Sequence, residues 1–358
     1  MKSSLSCCDG HFICYDENGN VWYFTFVLLS RCYMLSGKVN GLENIVHVSC
    51  GEQFSACIDN NGIIWTFGNV PDDLRERNDP LYIGKIFRFP FHDSFVTHVS
   101  CGRHHMIWLN ENGELFGCGS NQVGELGIND FIVKPKKLLN HIYFREIGCG
   151  SNYSVAISLK GELYGCGIGF KDIMKSRLNY KLWNKEQSGL LSDLRGIACG
   201  KLHILVFDGN NDIYGMGNNE SGQLGLNDSI VETYQPTKLD IKILSQIRYI
   251  TCTNYSSMIL EQSGILWTCG YIEQISTDKI CKMKQFPIDN IIAIGATEYC
   301  IILKTTNDIY CLTSNCRFPI LEIIESSNDN SNEFKFKEDY NYIIANPITH
   351  SKLKSARK

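Results

Sequence analysis

Residues 101–127 read CGRHHMIWLNENGELFGCGSNQVGELG, and residues 199–225 repeat the same pattern as CGKLHILVFDGNNDIYGMGNNESGQLG. In both stretches two apolar runs flank a polar turn that contains Gly or Asn, which predicts a β-hairpin. A further short apolar run, such as SFVTHV or IRYITC, precedes the cysteine and predicts another strand. Each unit therefore offers three or four short strands in about 50 residues.

Shorter copies of this unit recur along the chain. Each copy starts at a residue that we call the anchor, and the anchors are Cys7, Cys50, Cys101, Cys149, Cys199, Cys252 and Gly295. Twelve residues after the anchor stands a Gly or an Asn, the residue types that best tolerate a positive φ, which predicts a tight turn. Fifteen residues after it stands an aromatic residue in every copy.

A unit of this size cannot bury the faces of its own sheet, so neighbouring units must pack against it. Closing the array into a ring removes its exposed ends. The sequence therefore predicts an all-β fold, a β-propeller with seven blades.

The pattern C-G-x-x-H, then Gly, an aromatic residue and Gly, and finally G-Q-L-G, resembles the regulator of chromosome condensation repeat. The resemblance covers residues 5–320, and the copies at Cys101 and Cys199 match it most fully. The other copies lack the G-Q-L-G segment, so the chain resembles a divergent member. The resemblance implies a seven-bladed propeller of that type, whose anchor turns contact a small GTPase in the family's exchange factors.

We expect residues 1–348 to form one monomeric propeller and residues 349–358 to form a basic tail. Few residues precede Cys7, too few for the strand that precedes the other anchors. We therefore expect a C-terminal segment, about residues 334–348, to pair beside the N-terminal strand and close the ring.

Composition narrows the possible partners. The chain has 34 basic and 38 acidic residues, a formal charge of −4, which argues against binding to nucleic acid or to an anionic membrane surface. The N-terminus lacks an apolar leader, and no apolar run is long enough to span a bilayer. We expect an intracellular protein, cytoplasmic rather than nuclear, with reduced thiols.

The 17 cysteines raise the question of metal or redox chemistry. Six occupy the anchor column and three more, Cys118, Cys166 and Cys269, share another column, so the repeat itself accounts for nine of them as small buried side chains. No zinc-type pair of C-x-x-C motifs, P-loop or nucleophile elbow is present. We expect no catalytic residue, no metal site and no cofactor.

The candidate partner contacts follow from the resemblance and lie in the anchor turns. Three histidines four residues after the anchor have two interpretations: a structural hydrogen bond within the repeat, or contact with a partner. The full set of candidates is Asp9, His11, Glu52, Arg103, His104, His105, Asn152, Lys201, His203, Asn254 and Glu298. Two long segments, Val70–Ser94 and Phe170–Leu194, are further candidates, and the second predicts a short helix.

Two functions remain open at this point. The first is a non-catalytic scaffold for protein–protein interaction, which presents loops on a rigid ring. The alternative is guanine-nucleotide exchange on a Ran-type small GTPase, in which no covalent bond is made or broken. The mixed charge of the anchor turns, with acids beside Arg103 and Lys201, favours the scaffold.

Overall fold

A computed structural model describes most of the chain up to residue 319. The described residues are 5–8, 11–15, 18–28, 32–52, 54–68, 86–89, 91, 94–174, 181–186, 188–271, 280–286, 290–296, 300–305, 309–313 and 317–319. They contain 28 strands and one short helix, α1 (Ile168–Met174). The all-β prediction is confirmed.

The strands form seven antiparallel sheets of four strands each, which we call blades. The first blade contains β1 (Leu5–Cys8), β2 (His11–Tyr15), β3 (Val21–Leu28) and β4 (Cys32–Lys38). The second contains β5 (Ile45–Cys50), β6 (Phe54–Asp59), β7 (Ile64–Gly68) and β8 (Phe87–Arg88). The third contains β9 (Val96–Cys101), β10 (His105–Asn110), β11 (Leu115–Ser120) and β12 (Ile132–Lys137). The fourth contains β13 (Phe144–Gly150), β14 (Tyr153–Ser158), β15 (Leu163–Cys166) and β16 (Asn184–Lys185), with α1 between the last two strands.

The remaining blades follow the same order. The fifth contains β17 (Leu194–Cys199), β18 (His203–Asp208), β19 (Ile213–Asn218) and β20 (Glu232–Lys238). The sixth contains β21 (Ile247–Cys252), β22 (Ser256–Glu261), β23 (Leu266–Gly270) and β24 (Ile280–Gln285). The seventh contains β25 (Ile291–Ala296), β26 (Cys300–Thr305), β27 (Ile309–Thr313) and β28 (Arg317–Pro319).

The first strand of every blade lines a central channel of about 230 Å³. The turns between the first and second strands, which follow the anchors, open at one end of the channel, and we call this end the anchor face. The turns between the second and third strands open at the other end, which we call the glycine face. Among the described residues, no helix is long and apolar enough to cross a bilayer.

Apolar side chains fill the spaces between neighbouring blades. Among the described residues, six hydrophobic clusters occupy the six junctions from the first blade to the seventh. The ring closes at a seventh junction, where β1 packs beside β25. There Leu5 and Cys7 lie so close to Gly295 that a side chain at Gly295 would collide with them.

Two expectations at the ends of the ring need correction. Residues Leu5–Cys8 suffice for the first strand, since they pair with β2 over four residues, so the first blade supplies all four of its strands locally. In the seventh blade Ala296, not Gly295, takes the anchor position, because it pairs with a residue five positions later, as Cys50 pairs with Ser55. The proposed closing segment, residues 334–348, lies outside the described residues.

The glycine turns do two things at once. Gly113 has a φ of +76°, and its carbonyl oxygen accepts a hydrogen bond of 2.7 Å from the backbone N–H of Phe144 in the next blade. A Cβ at Gly113 would lie 2.7 Å from the Phe144 carbonyl oxygen, so the position excludes a side chain by both conformation and space. The turn predicted from the Gly or Asn column is confirmed at the described positions, including Asn211 with a φ of +64°.

In blades two to five a polar residue nine positions after the anchor caps the turn. The carboxylate of Asp59 accepts hydrogen bonds of 2.9 Å from the N–H groups of Asn61 and Ile63. Asp208 makes the equivalent pair of bonds to Asn210 and Asp212. The column of polar residues at this position was visible in the sequence, and such side chains commonly cap turns.

Candidate functional site

The anchor face brings together most of the predicted contact residues. Glu52, Arg103, His104, Asn152, Lys201 and Asn254 all lie in or beside the turns that join the first and second strands of blades two to six. Asp9 and Glu298 lie outside the described residues. The turns are therefore neighbours on one face, as the topology of the repeat predicts. Their role in binding stays a prediction.

Two of these charges neutralise each other. Arg103 Nε donates to the carboxylate of Glu52 in the neighbouring blade, with the side chains 49% and 25% exposed. An exposed pair of this kind contributes little to stability. Its effect on recognition is larger, since it removes a free carboxylate and a free guanidinium from the face.

The histidines that follow the anchor by four residues are inside the ring wall. His105 is fully buried, and its Nε2 lies 3.0 Å from the hydroxyl of Ser154 in the next blade. Ser154 donates its own hydrogen to the carbonyl oxygen of Glu125, 2.7 Å away. The histidine must therefore donate through Nε2, and the chain of bonds joins the third blade to the fourth.

The same arrangement joins the fifth blade to the sixth. His203 Nε2 lies 2.9 Å from the Ser257 hydroxyl, which donates to the carbonyl oxygen of Gln223 at 2.6 Å. Burial lowers the pKa of both His105 and His203 to about 3, so both rings are neutral at pH 7. Both side chains are fully buried and cannot reach a partner on the surface, so their prediction as partner contacts needs correction. The structural interpretation fits the geometry.

His11 makes a related bond in the first blade. Its Nε2 lies 3.1 Å from the hydroxyl of Ser55, so the column again reaches across to the following blade. The predicted hydrogen bond of this column exists, but it crosses the junction between blades and not the turn within one blade.

The anchor cysteines belong to the wall of the channel. The backbone N–H of Cys50 donates to the hydroxyl of Ser6 at 2.9 Å, and that of Cys149 donates to Ser100 at 3.0 Å, so successive inner strands are linked. Burial raises the pKa of the Cys50, Cys149 and Cys252 thiols to about 12. A protonated thiol neither ligates a metal well nor acts as a nucleophile. Within the described part of the chain, no three metal-ligating side chains come together.

Exposed apolar side chains on the anchor face were missed by the sequence reasoning. They lie on four consecutive blades, from the third to the sixth, and we call them the apolar arc. The apolar arc consists of Phe131, Leu182, Leu202, Val231, Tyr255 and Tyr271. Leu202 and Tyr255 stand three residues after their anchors, so the anchor column could have revealed them.

Backbone hydrogen bonds hold the members of the apolar arc beside one another. The N–H of Tyr271 donates to the carbonyl oxygen of Tyr255 at 2.9 Å. Leu202 and Val231 accept from the consecutive residues Asn218 and Asn219 at 2.8 and 2.7 Å. These bonds fix pairs of exposed apolar residues on a rigid support, as interaction surfaces require.

The two long segments contribute to the core as well as to the surface. Phe89 and Phe91 are buried, with their rings 5.5 and 5.1 Å from that of Trp108. The predicted short helix is confirmed as α1, and its residues Phe170 and Ile173 are buried between blades four and five. The aromatic end of the first segment and the start of the second are therefore structural. Residues 70–85 and 175–180 lie outside the described residues.

Comparison with known proteins identifies the repeat. Two models of the regulator of chromosome condensation (RCC1) repeat match the chain, one at residues 96–125 and 195–223 and the other at 112–157 and 210–260. The human structure of WBSCR16 superposes with a TM-score of 0.73 at 18% identity, over 86% of this chain and 87% of that one. The likeness to this structure shows the fold.

Curated relatives are similar over part of their length. The X-linked retinitis pigmentosa GTPase regulator of Homo sapiens is 23% identical over 284 residues, 63% of this chain and 28% of the human protein. The guanine nucleotide exchange factor SRM1 of Saccharomyces cerevisiae is 23% identical over 239 residues, 64% of this chain and 40% of the yeast protein. The chain thus spans less than half the length of either relative.

Proposed function

Because the chain belongs to the family of regulator of chromosome condensation repeat proteins, we propose that it is a non-catalytic protein-binding propeller. The partner docks on the anchor face of blades three to six. The observation that carries this proposal is the apolar arc, six exposed large apolar residues on one face of a rigid ring.

The chemistry of the face agrees with binding better than with catalysis. Aromatic residues such as Tyr255 and Tyr271 supply large contact areas with little loss of side-chain entropy when they are covered. His104 and Lys201 lie at the edge of the same area and are exposed, so they can supply polar contacts around it. The buried histidines and protonated thiols are part of the scaffold.

Photo-crosslinking tests this proposal. A benzoylphenylalanine at Tyr271 in the full chain should crosslink a discrete partner in an extract of the source organism, and Leu202→Asp in the same chain should abolish the crosslink. Tyr143, which is similarly exposed on the glycine face, supplies the matched control, and Tyr143→Asp should leave the crosslink unchanged. Crosslinks that survive Leu202→Asp, or that form from position 143 and not from position 271, contradict the proposed face.

Guanine-nucleotide exchange on a small GTPase is the second candidate. Its support is the similarity to SRM1, an exchange factor, over 64% of this chain. An exchange factor acts by stabilising the nucleotide-free GTPase, which lowers nucleotide affinity by linkage. The Arg103–Glu52 pair leaves fewer free carboxylates in the described anchor turns for this task.

Release of a fluorescent guanine nucleotide from a panel of small GTPases, Ran-type first, tests the second candidate. Catalytic amounts of the folded chain should accelerate release if exchange is its function, and the double variant Glu52→Lys/His104→Glu should remove the acceleration. If nucleotide release is not accelerated from any GTPase, exchange is contradicted and the protein-binding scaffold is the remaining function.

We also propose that the protein works inside the cell. The twelve cysteines whose side chains the structure describes are all free, whereas exported proteins commonly carry disulfides.

A further inference from the structure

The inner strands carry a β-bulge near the glycine face. In blades two to six the residue four positions before the anchor has no partner in the second strand, and the pairing register shifts around it. A bulge re-aims the side chain of its extra residue, and bulges recur next to functional sites. The repeat thus provides one re-aimed side chain per blade at this end of the channel.

Three consecutive blades place arginine at the bulge, and we call these residues the bulge arginines: Arg145, Arg195 and Arg248. The second and third blades have Val46 and Thr97 at the same position. A guanidinium is needed neither for the bulge nor for the blade, since both form without it. The arginines therefore call for an explanation outside the geometry of the repeat.

The guanidinium groups of the bulge arginines make few hydrogen bonds or ion pairs within the described part of the protein. Arg145 donates to the carbonyl oxygen of Leu159, while its Nε is buried and without a partner in the described part of the chain. Arg195 pairs with Asp193 at 2.8 Å, with both side chains about half exposed, which makes a weak pair. Arg248 has no hydrogen bond or ion pair with any described residue.

Most nearby carboxylates are already engaged. Glu162 pairs with Lys185, and Asp212 pairs with Lys238, both at the outer edge of the blades. Asp208 and Glu261 accept backbone N–H bonds in the turns. The inner part of the glycine face therefore presents guanidinium N–H donors and few free carboxylate acceptors among the described residues.

Exposed apolar side chains lie on the same face as the bulge arginines. Leu159 is the residue whose carbonyl binds Arg145, and Leu190 and Leu244 lie in the loops that lead into the fifth and sixth blades. All three are more than half exposed, and Leu244 reaches 66%. Each of the three blades thus combines one arginine with one exposed leucine.

We propose that the bulge arginines, with Leu159, Leu190 and Leu244, form a docking surface for a short acidic segment of a partner protein that also carries apolar residues. Guanidinium groups bind carboxylates with two parallel hydrogen bonds, and the leucines cover apolar side chains between them. This surface lies on the opposite face from the apolar arc, so it does not depend on the proposed function.

A peptide fits this surface better than a nucleic acid. Nucleic acid binding requires a broad positive field, whereas the chain has a formal charge of −4. A nucleic acid backbone also has no apolar group for the exposed leucines. Carboxylates interspersed with apolar side chains match both features.

The test uses the full chain and a fluorescein-labelled peptide that repeats Glu-Asp-Leu. Fluorescence anisotropy should show binding that weakens as salt rises, since exposed charges are screened. A peptide with Lys in place of the acids should not bind. The triple variant Arg145→Gln/Arg195→Gln/Arg248→Gln should weaken binding at least about tenfold.

Arg145 is partly buried, so the double variant Arg195→Gln/Arg248→Gln guards against loss of fold and should also weaken binding. Leu244→Ser should weaken it without changing charge, and Lys134→Ser, at an exposed lysine on the outer strand β12, should leave it unchanged. The proposal is overturned if the acidic peptide fails to bind, if the double variant binds it as well as the original chain, or if a single-stranded oligonucleotide of equal charge binds more tightly.

Discussion

Two neighbouring junctions of the ring perform the same task with different parts. Between blades three and four, Leu126 of the G-E-L-G segment covers Gly117, and His105 reaches Ser154 across the junction. Between blades four and five, Phe170 of α1 covers the equivalent Gly165, and Tyr153 donates its hydroxyl to the carbonyl oxygen of Gly200.

The comparison shows what the junctions that follow blades three, four and five have in common. A glycine in the third strand leaves room for one apolar side chain from the following segment, and a Cβ there would lie 2.8 Å from Leu126 or 2.5 Å from Phe170. A polar side chain four residues after the anchor then bonds to the next blade. The fourth copy can therefore lack the G-Q-L-G segment and still form the junction between blades four and five.

The largest test of this equivalence removes the covering side chain. Phe170→Ala should lower the free energy of unfolding by about 3–5 kcal/mol, because it empties a buried aromatic site, and Leu126→Ala by about 2–5 kcal/mol. Urea denaturation followed by tryptophan fluorescence measures both. Phe131→Ala, at a residue that is 65% exposed, is the control and should cost little. A loss for Phe170→Ala no greater than that of the control would show that α1 is dispensable to the junction.

The second test uses the pH dependence of stability to distinguish the two histidine junctions from the junction with Tyr153. His105 and His203 have a pKa of about 3 when folded and an ordinary value near 6.5 when unfolded, so protons bind the unfolded chain first as pH falls. Each histidine should therefore lower the free energy of unfolding by about 2 kcal/mol between pH 7 and pH 5. Burial raises the pKa of Tyr153 well above its ordinary value, so this side chain stays neutral throughout the range.

Comparing the original chain with His105→Phe/His203→Phe isolates this effect, since Phe54 already occupies the same position in the second blade. Both proteins keep the exposed His104 and the buried Glu125, whose pKa is raised by burial and which acts in the opposite sense. The variant should lose much of the stability difference between pH 7 and pH 5. An unchanged difference would mean that these rings are charged or solvated in the folded state.

The sequence predicts the junctions unevenly, for a physical reason. Hairpins, turns and the all-β ring follow from local patterns, and the Gly or Asn column at Gly113 and its equivalents marks a positive φ that these residue types tolerate best. The sequence did not reveal that Phe170 takes the structural place of Leu126. The two residues stand at different distances from their anchors, so no repeat column contains both. The same applies to Phe89 and Phe91, which looked like surface loop and lie in the core.

The candidate sites show the same limit. Which turns share the anchor face follows from topology, so Glu52, Arg103 and Lys201 were placed together correctly. Burial does not follow from residue type: the adjacent histidines His104 and His105 are exposed and buried, respectively. The bulge that re-aims Arg145 requires the strand register, which the apolar pattern alone leaves undetermined.

The smallest test concerns the single hydroxyl that links blades four and five. Tyr153→Phe keeps the buried ring but removes the donor to the Gly200 carbonyl oxygen at 2.8 Å, and should cost about 1 kcal/mol of unfolding free energy. Tyr143→Phe, at an exposed tyrosine, is the matched control and should be neutral. If Tyr153→Phe is also neutral, apolar packing, including that of Phe170, holds this junction without the hydroxyl. A loss near 1 kcal/mol would make the tyrosine the functional counterpart of the histidine bond, since each then contributes one net hydrogen bond between blades.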